Sequence, residues 1–345
     1  MSEIVVIGAG PAGCAAAIAL ARAGRRVTLL ERAPAPRESV CGEFLGGDAV
    51  GLLRGLGIDP PALGATRLTA ARAAAGGRQA AAALPFEAYG LARRTLDAAL
   101  QDAATAAGAC LVRGRAVRGI GQHGDGWWVD GLQARAVLLA TGKHNLRGHP
   151  RQAGRGAIGL KLHLEGLDLP PEVTLLRFDG GYAGLQPGAA GLANLCAALI
   201  GPAPGDAEAF LDRVRRGSAL AERLLRGARP LWQRPMAVAG VPYGFRQSGG
   251  VDGLYRVGDQ LSVIPSFTGD GMAMAMASGL AAAAAIAAGQ GAAAFHAVWR
   301  RRSARQMRLA AAGAWLMQRM PGGFVAAMGT PLAALAMRAT RVAGA

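Results

Sequence analysis

Short apolar runs separated by glycine turns dominate the start of the chain. Residues 4–7 are four consecutive β-branched residues, Ile4-Val5-Val6-Ile7, which predicts a short strand buried on both faces. An alanine-rich stretch at helical spacing runs from Gly13 to about Ala23, where Gly24 stops it. Residues 26–30 return as a second apolar strand closed by the acid Glu31, so strand, helix and strand make a complete βαβ unit. Pro- and Gly-punctuated residues 34–45 form a loop before a helix at 48–56, and residues 66–84 predict a hairpin turning at Gly76-Gly77. A helix ending near Ala107 follows the Arg93 region, with strands at 110–112, 115–120, 127–129 and 136–140.

Between 151 and 247 the pattern changes. Strand-like runs at 157–163, 173–178 and 192–200 are separated by Gly and Pro turns, with a helix at 207–226, which predicts an antiparallel sheet. The earlier pattern resumes at 253–257, a strand ending in Gly258-Asp259. Residues 265–272 are a turn opening a long Ala/Met helix, whose positive end can face whatever the strand end contacts. The expected architecture is α/β: a Rossmann-like domain from 1–60, 88–150 and 250–290, an inserted antiparallel β-sheet substrate domain from 61–87 and 151–249, and C-terminal helices over 291–345.

The first turn carries chemistry. Gly8, Gly10 and Gly13 stand at G-x-G-x-x-G spacing between strand and helix. Gly8 permits the tight turn, Gly10 lets backbone approach a pyrophosphate, and Gly13 lets helix and strand pack closely, while the helix N-terminus offers N–H groups to phosphate. Glu31 follows at the distance where a carboxylate accepts from a ribose hydroxyl. A bound dinucleotide is the expectation.

Composition adds constraints rather than a function. The formal charge of +16 is almost all arginine, with only Lys143 and Lys161 as lysines, and it is spread along the chain. No basic cluster interleaved with aromatics marks a nucleic-acid module, so nucleic acid is not an expected partner. Cys14, Cys41, Cys110 and Cys196 form neither C-x-x-C pairs nor a disulfide framework, which fits reduced thiols in a cytoplasm. The five histidines show no metal-ligand spacing, and no metal is expected. No secretory leader pattern precedes the first strand. The charge-poor stretches 271–299 and 320–337 are interrupted by Gly and Pro and do not read as spanning helices. Apolar residues such as Trp315, Phe324 and Leu332 beside Arg305, Arg308, Arg319, Arg338 and Arg341 predict peripheral contact with anionic membranes through the C-terminal region.

Four ordered motifs together resemble the flavoprotein superfamily of p-hydroxybenzoate hydroxylase, and within it the geranylgeranyl reductase and flavin halogenase branches, over roughly residues 1–290. Gly8 to Gly13 with Glu31 look like the ADP-binding fingerprint. Arg93-Arg94-Thr95-Leu96-Asp97 is similar to the R-x-x-L-D segment that places Arg93 near FAD. Ala140-Thr141-Gly142 matches the A-x-G strand end, and Gly258-Asp259 the G-D motif whose Asp holds the ribityl chain. The resemblance further implies that Pro11, Ala12, Arg32, Arg37, Cys41 and Val117 contact the cofactor, and that Pro265, Gly269, Gly271 and Met272 line the isoalloxazine ring. Cys41-Gly42-Glu43 sits where geranylgeranyl reductases have a cysteine beside the flavin. Cys41 and Glu43 are therefore the candidate catalytic pair, Glu43 as a partly desolvated acid with a raised pKa. The competing readings are a packed thiol for Cys41 and a helix-capping acid for Glu43. The Y-x-W-x-F-P segment of those reductases is degraded to Tyr182-Ala183-Gly184-Leu185-Gln186-Pro187, with Tyr182, Gly184 and Pro187 as candidate substrate residues. The halogenase W-x-W-x-I-P pattern is absent.

The resemblance implies an FAD-dependent oxidoreductase, monooxygenase or reductase, acting on an apolar small molecule such as a polyketide, quinone or isoprenoid lipid, with NAD(P)H as a transient reductant. One alternative is a geranylgeranyl reductase-like double-bond reductase at the membrane surface. Another, from a different class, is a flavin-bearing redox partner without turnover.

Overall fold

The computed structural model describes residues 3–124, 126–151 and 156–341. The chain runs through β1 (Ile4–Ile7), α1 (Pro11–Arg22), β2 (Val27–Leu30), β3 (Phe44–Leu45), α2 (Gly47–Gly55), β4 (Thr66–Ala75), β5 (Arg78–Gly90), α3 (Arg93–Ala106) and β6 (Cys110–Val112). It continues through β7 (Ile120–His123), β8 (Gly126–Val129), β9 (Leu132–Ala134), β10 (Ala136–Leu139), β11 (Ala157–Glu165), β12 (Glu172–Phe178), β13 (Gly181–Pro187) and β14 (Ala193–Leu199). Then come α4 (Ala207–Arg215), α5 (Ala219–Leu224), β15 (Arg229–Pro230), β16 (Met236–Val241), β17 (Leu254–Arg256), α6 (Gly271–Ala287), α7 (Ala292–Arg302), α8 (Ala304–Arg319), α9 (Pro321–Met328) and α10 (Pro331–Ala339).

β17, β10, β1, β2 and β6 form a parallel sheet in that order, with Ile4 opposite Ala136 on one side and Val27 on the other. β1 is central and buried on both faces, which is why its sequence is a continuous apolar run rather than an alternating one. α1 and α6 pack backbone to backbone. A Cβ at Gly279 would stand 2.2 Å from the Ala12 carbonyl, and one at Gly13 would stand 1.9 Å from the Gly8 carbonyl. The alanines and glycines of both helices thus let the first turn sit tightly against the core.

The second sheet runs β15-β11-β14-β13-β12-β4-β5-β3, with β16 also on β11. Its pairings are antiparallel except β4 with β12, which run parallel with Glu172 opposite Ala70. One face buries Leu162, Leu185 and Leu195 against Phe210, Leu211 and Val214 of α4. The other face looks toward the first sheet and the C-terminal helices.

Three expectations differ from what is observed. Residues 115–119 are not a strand: Arg115 donates to the Asp130 carbonyl, the Arg118 amide donates to the Asp130 carboxylate, and pairing begins only at Ile120, in a small sheet of β7, β8 and β9. The helix expected over 207–226 is two helices. Gly217 passes so close to Arg177 that a Cβ would lie 2.2 Å from its carbonyl, and Ser218 caps the restarted helix by accepting from the Ala221 amide. The hairpin at 66–84 extends to Gly90, where β5 also pairs with β3.

Candidate active site

A cavity of about 950 Å³ opens along the carboxyl ends of the parallel strands and continues beneath the second sheet. That is near the top of the roughly 300–1,000 Å³ range of small-molecule and cofactor clefts. At one end it is lined by Gly8, Gly10, Pro11, Ala12 and Glu31. The α1 N-cap, Gly10, provides no side-chain cap, so the start of α1 faces the cavity with its backbone. Glu31 accepts from the Ala9 and Ala33 amides, both at 2.9 Å, one per carboxylate oxygen, which ties the glycine turn to the loop after β2. Arg32, Arg37 and Val117 line the same end.

Midway, Ala140, Thr141, Gly142, Gly258 and Asp259 border the cavity. Lys143 Nζ lies 3.4 Å from the Asp259 carboxylate. Burial pushes the Lys143 ammonium down, and the raising contributions of its neighbours, Asp259 first among them, together outweigh it and leave the pKa raised. Arg93 is held by a two-pronged contact to Asp97, at 3.1 and 2.8 Å, and faces both the cavity and Gly10. Beyond it, Gly269, Gly271 and Met272 line the cavity at the start of α6. Gly269 is left-handed (φ +72°), and a Cβ there would strike the Phe44 ring at 2.5 Å. Tyr182 and Gly184 line the cavity from β13. Gly13, Pro265 and Pro187 lie off it: Gly13 serves helix packing, the Pro265 carbonyl accepts from Thr268, and the Pro187 carbonyl abuts Gly90.

The Cys41-Gly42-Glu43 loop faces the cavity, but its environment differs from the expectation. Glu43 is only 4% exposed and adopts a left-handed backbone (φ +57°). Its carboxylate accepts from the Arg93 amide at 2.9 Å, is 3.0 Å from His163 Nε2, and contacts Lys161 Nζ. Burial alone would push the Glu43 carboxyl up; the His163 hydrogen bond and the Lys161 charge outweigh it and hold the pKa below the ordinary carboxylate value. A raised pKa suited to general acid work is therefore not what this environment produces.

The loop is pinned by two polar rows on the cavity-facing side of the second sheet. Register places His163, Asn194 and Gln186 side by side in one row, and Lys161, Cys196 and Gly184 in the next. Asn194 donates to the Cys41 and Gly42 carbonyls, and Gln186 to the Glu43 carbonyl. Burial, and then the neighbouring Cys41, pushes the Cys196 thiol up to about 12.

Glu38, Glu43 and His163 also converge within 4.8 Å, a grouping that sequence spacing did not reveal. Lys161 Nζ lies 2.6 Å from Glu38 and also contacts Glu43, so the chain itself supplies the cation between the two carboxylates. Lys161 and His163 were legible only as alternate positions of an otherwise apolar strand, a period-two signal that marks a face and not a role. Lys143, Asn194, Tyr243 and Ser266 carried no motif.

The donor set fits FAD. The uncapped helix start with its glycine turn suits a pyrophosphate, Glu31 and Asp259 can accept from hydroxyls, and beyond them the α6 start lines the cavity with Gly269 and Gly271.

Known proteins agree. Residues 1–144 match a family described as an FAD binding domain. The chain is 31% identical over 309 residues to digeranylgeranylglycerophospholipid reductase 2 of Methanopyrus kandleri, covering 80% of this chain and 74% of that one. It is 49% identical over 57 residues to a menaquinone reductase of Mycolicibacterium smegmatis, a match that spans only 16% of this chain and 14% of that relative. Among solved structures, a flavin-dependent brominase superposes with a TM-score of 0.78 at 21% identity, covering 98% and 93% of the two chains. A geranylgeranyl bacteriochlorophyll reductase-like protein of Thermoplasma acidophilum superposes with 0.74 at 18% identity, covering 98% and 96%. These two share the fold. With the βαβ fingerprint, the Arg93 and Asp259 segments and the second sheet in place, the chain belongs to the p-hydroxybenzoate hydroxylase and geranylgeranyl reductase superfamily of FAD-dependent oxidoreductases.

Proposed function

We propose that this chain is an FAD-dependent reductase of a lipid-like, apolar small molecule, reduced in turn by NAD(P)H that binds transiently. The observation that carries this reading is the second half of the cavity. Past Gly269 it runs between the second sheet and the C-terminal helices, walled by Val173, Leu175, Leu316, Phe324 and Met328. Such a wall excludes water and accepts an extended apolar group. The relatives named for reduction of an isoprenoid lipid and of a quinone support reduction over hydroxylation.

FAD, when bound, supplies the hydride transfer. The chain supplies the rest. The start of α1, Glu31 and Asp259 fix the cofactor's polar portions, and Arg93, braced by Asp97, stands beside the Cys41 loop. Cys41 faces the cavity and is the proton donor in this reading, while Glu43, ionised and enclosed, keeps the loop in place. α8 and α10 border this half of the cavity through Leu316 and Leu332, and on the same helices Trp315 is 58% exposed and Leu332 67%. We include peripheral contact with anionic membranes at this face, through which a lipid would enter. Among the described residues no helix is long and apolar enough to cross a membrane.

The test is incubation of FAD-loaded enzyme and NADPH with isoprenoid lipids and quinones, with and without air, followed by mass analysis. Gain of two hydrogens without air is the expected outcome, and gain of an oxygen atom only in air would replace this reading with a monooxygenase. Cys41→Ala should keep FAD and lower turnover by about 10²-fold, the scale of one positioned acid.

A further inference from the structure

Where the apolar half of the cavity begins, one cluster stands out chemically. Tyr182 from β13, Tyr243 after β16 and Ser266 in the turn before α6 bring three hydroxyls together among otherwise apolar walls. Tyr182 Oη lies 2.6 Å from Ser266 Oγ, and Tyr243 Oη donates to Ser266 Oγ at 2.9 Å. Tyr182 Oη also accepts from the Phe267 amide at 3.1 Å.

Counting protons shows what the cluster lacks. Three hydroxyls carry three O–H donors. Tyr243 spends its own on Ser266, and a second is shared between Tyr182 and Ser266, whichever of them donates. The third belongs to Tyr182 or Ser266, and no acceptor for it is found among the described residues. Tyr182 is 7% exposed and Ser266 is exposed, and both line the cavity, so whichever oxygen carries this donor presents it to what the cavity holds. Burial pushes both phenols above their ordinary pKa, so the trio is neutral and can act as a donor but not as a base.

We propose that Tyr182, Ser266 and Tyr243 form a binding site for an oxygen acceptor on the substrate, a carbonyl or ether oxygen that takes the spare hydroxyl proton and sets how far the apolar portion slides along the cavity. This rests on the apolar-substrate reading and narrows it: a pure hydrocarbon leaves the donor unpaired, whereas an apolar molecule with one oxygen acceptor satisfies it. Ser266 is the hub, since both phenols meet on its oxygen, and Tyr243, whose proton is spent there, orients it.

The experiment compares α-tetralone with tetralin, matched in shape and differing in a ketone oxygen, binding to oxidised FAD-loaded protein and followed by the flavin absorption change. The ketone should bind about 3- to 10-fold tighter, the scale of one neutral hydrogen bond. Tyr182→Phe with Ser266→Ala should bring that ratio to about one while FAD and tetralin still bind. If the double variant does not fold, the carbonyl stretch of ¹³C-labelled α-tetralone on the unaltered protein decides, a shift to lower frequency than in hydrocarbon solvent being expected. Equal binding of the two probes, or an unshifted stretch, overturns the donor site while leaving the apolar cavity intact. Failure of both probes to bind overturns the apolar-substrate reading and this proposal with it.

Discussion

At the scale of single residues, the burial of Lys161 decides what Glu43 can do. Lys161 is fully buried, and its ammonium is held up by Glu43 and Glu38 against the pull of desolvation. Removing one partner of such a pair leaves an uncompensated charge, whereas removing both often costs little. Lys161→Met should therefore destabilise the protein by about 3–5 kcal/mol, and adding Glu43→Gln should recover a large part of the loss. Urea unfolding of the single and double variants measures this, and additive losses would show that the pair is not coupled. The Glu43 pKa is lowered on folding, so its contribution to stability is complete above the ordinary carboxylate pKa. It is lost as pH falls through the depressed folded value, and Glu43→Gln should lack that acid limb.

At the scale of elements, the end of α10 is fastened to the start of α6. Arg341 pairs with Asp270 and lies over the Phe86 ring, 4.1 Å from its centroid. Asp270 is fully buried, and one of its carboxylate oxygens has no hydrogen-bond partner among the described residues. Burial pushes its pKa up to about 7, with Arg341 pulling the other way. The folded chain therefore holds a proton that an unfolded Asp, with a pKa of about 3.9, would release. Between about pH 4 and pH 7 this group makes stability fall as pH rises, by up to about 1.4 kcal/mol per pH unit, and above that window the penalty is constant. Asp270→Asn should remove the slope, so the stability difference between variant and parent should grow from pH 4 to pH 7 and then level off. Urea midpoints across that range test it, and a difference independent of pH would refute the assignment.

At the scale of the whole molecule, charge and exposed apolar surface meet on the C-terminal helices. Trp315, Met320, Leu332 and Leu335 are all more than half exposed, on a chain with a net charge of +16. Such a face should bring the protein down with anionic vesicles at low salt and release it at high salt. Replacing Trp315, Leu332 and Leu335 by serine should abolish sedimentation without loss of FAD. Equal sedimentation with and without vesicles would remove membrane contact from the proposed function.

Some of this was set by the sequence alone, and the division has a physical cause. β1, α1, β2 and the Gly8–Gly13 turn are local: their periods and the stereochemistry of glycine act within about thirty residues, so reading them in order sufficed. The inserted sheet was legible too, because its strands alternate with Gly and Pro turns. The failures at 115–119 and 207–226 came from contacts with Asp130 and Arg177, neither of which any local period encodes. The interior of the site was decided only by tertiary structure. Lys161, His163, Gln186 and Asn194 become two polar rows through strand register, and Glu43 reaches them from 118 residues away at Lys161. Whether Glu43 is an acid or an enclosed anion depends on that cation, just as the spare proton of Tyr182 and Ser266 depends on a meeting across 84 residues. Composition and spacing along the chain do not carry such information, because pKa and hydrogen-bond satisfaction are properties of neighbours in space.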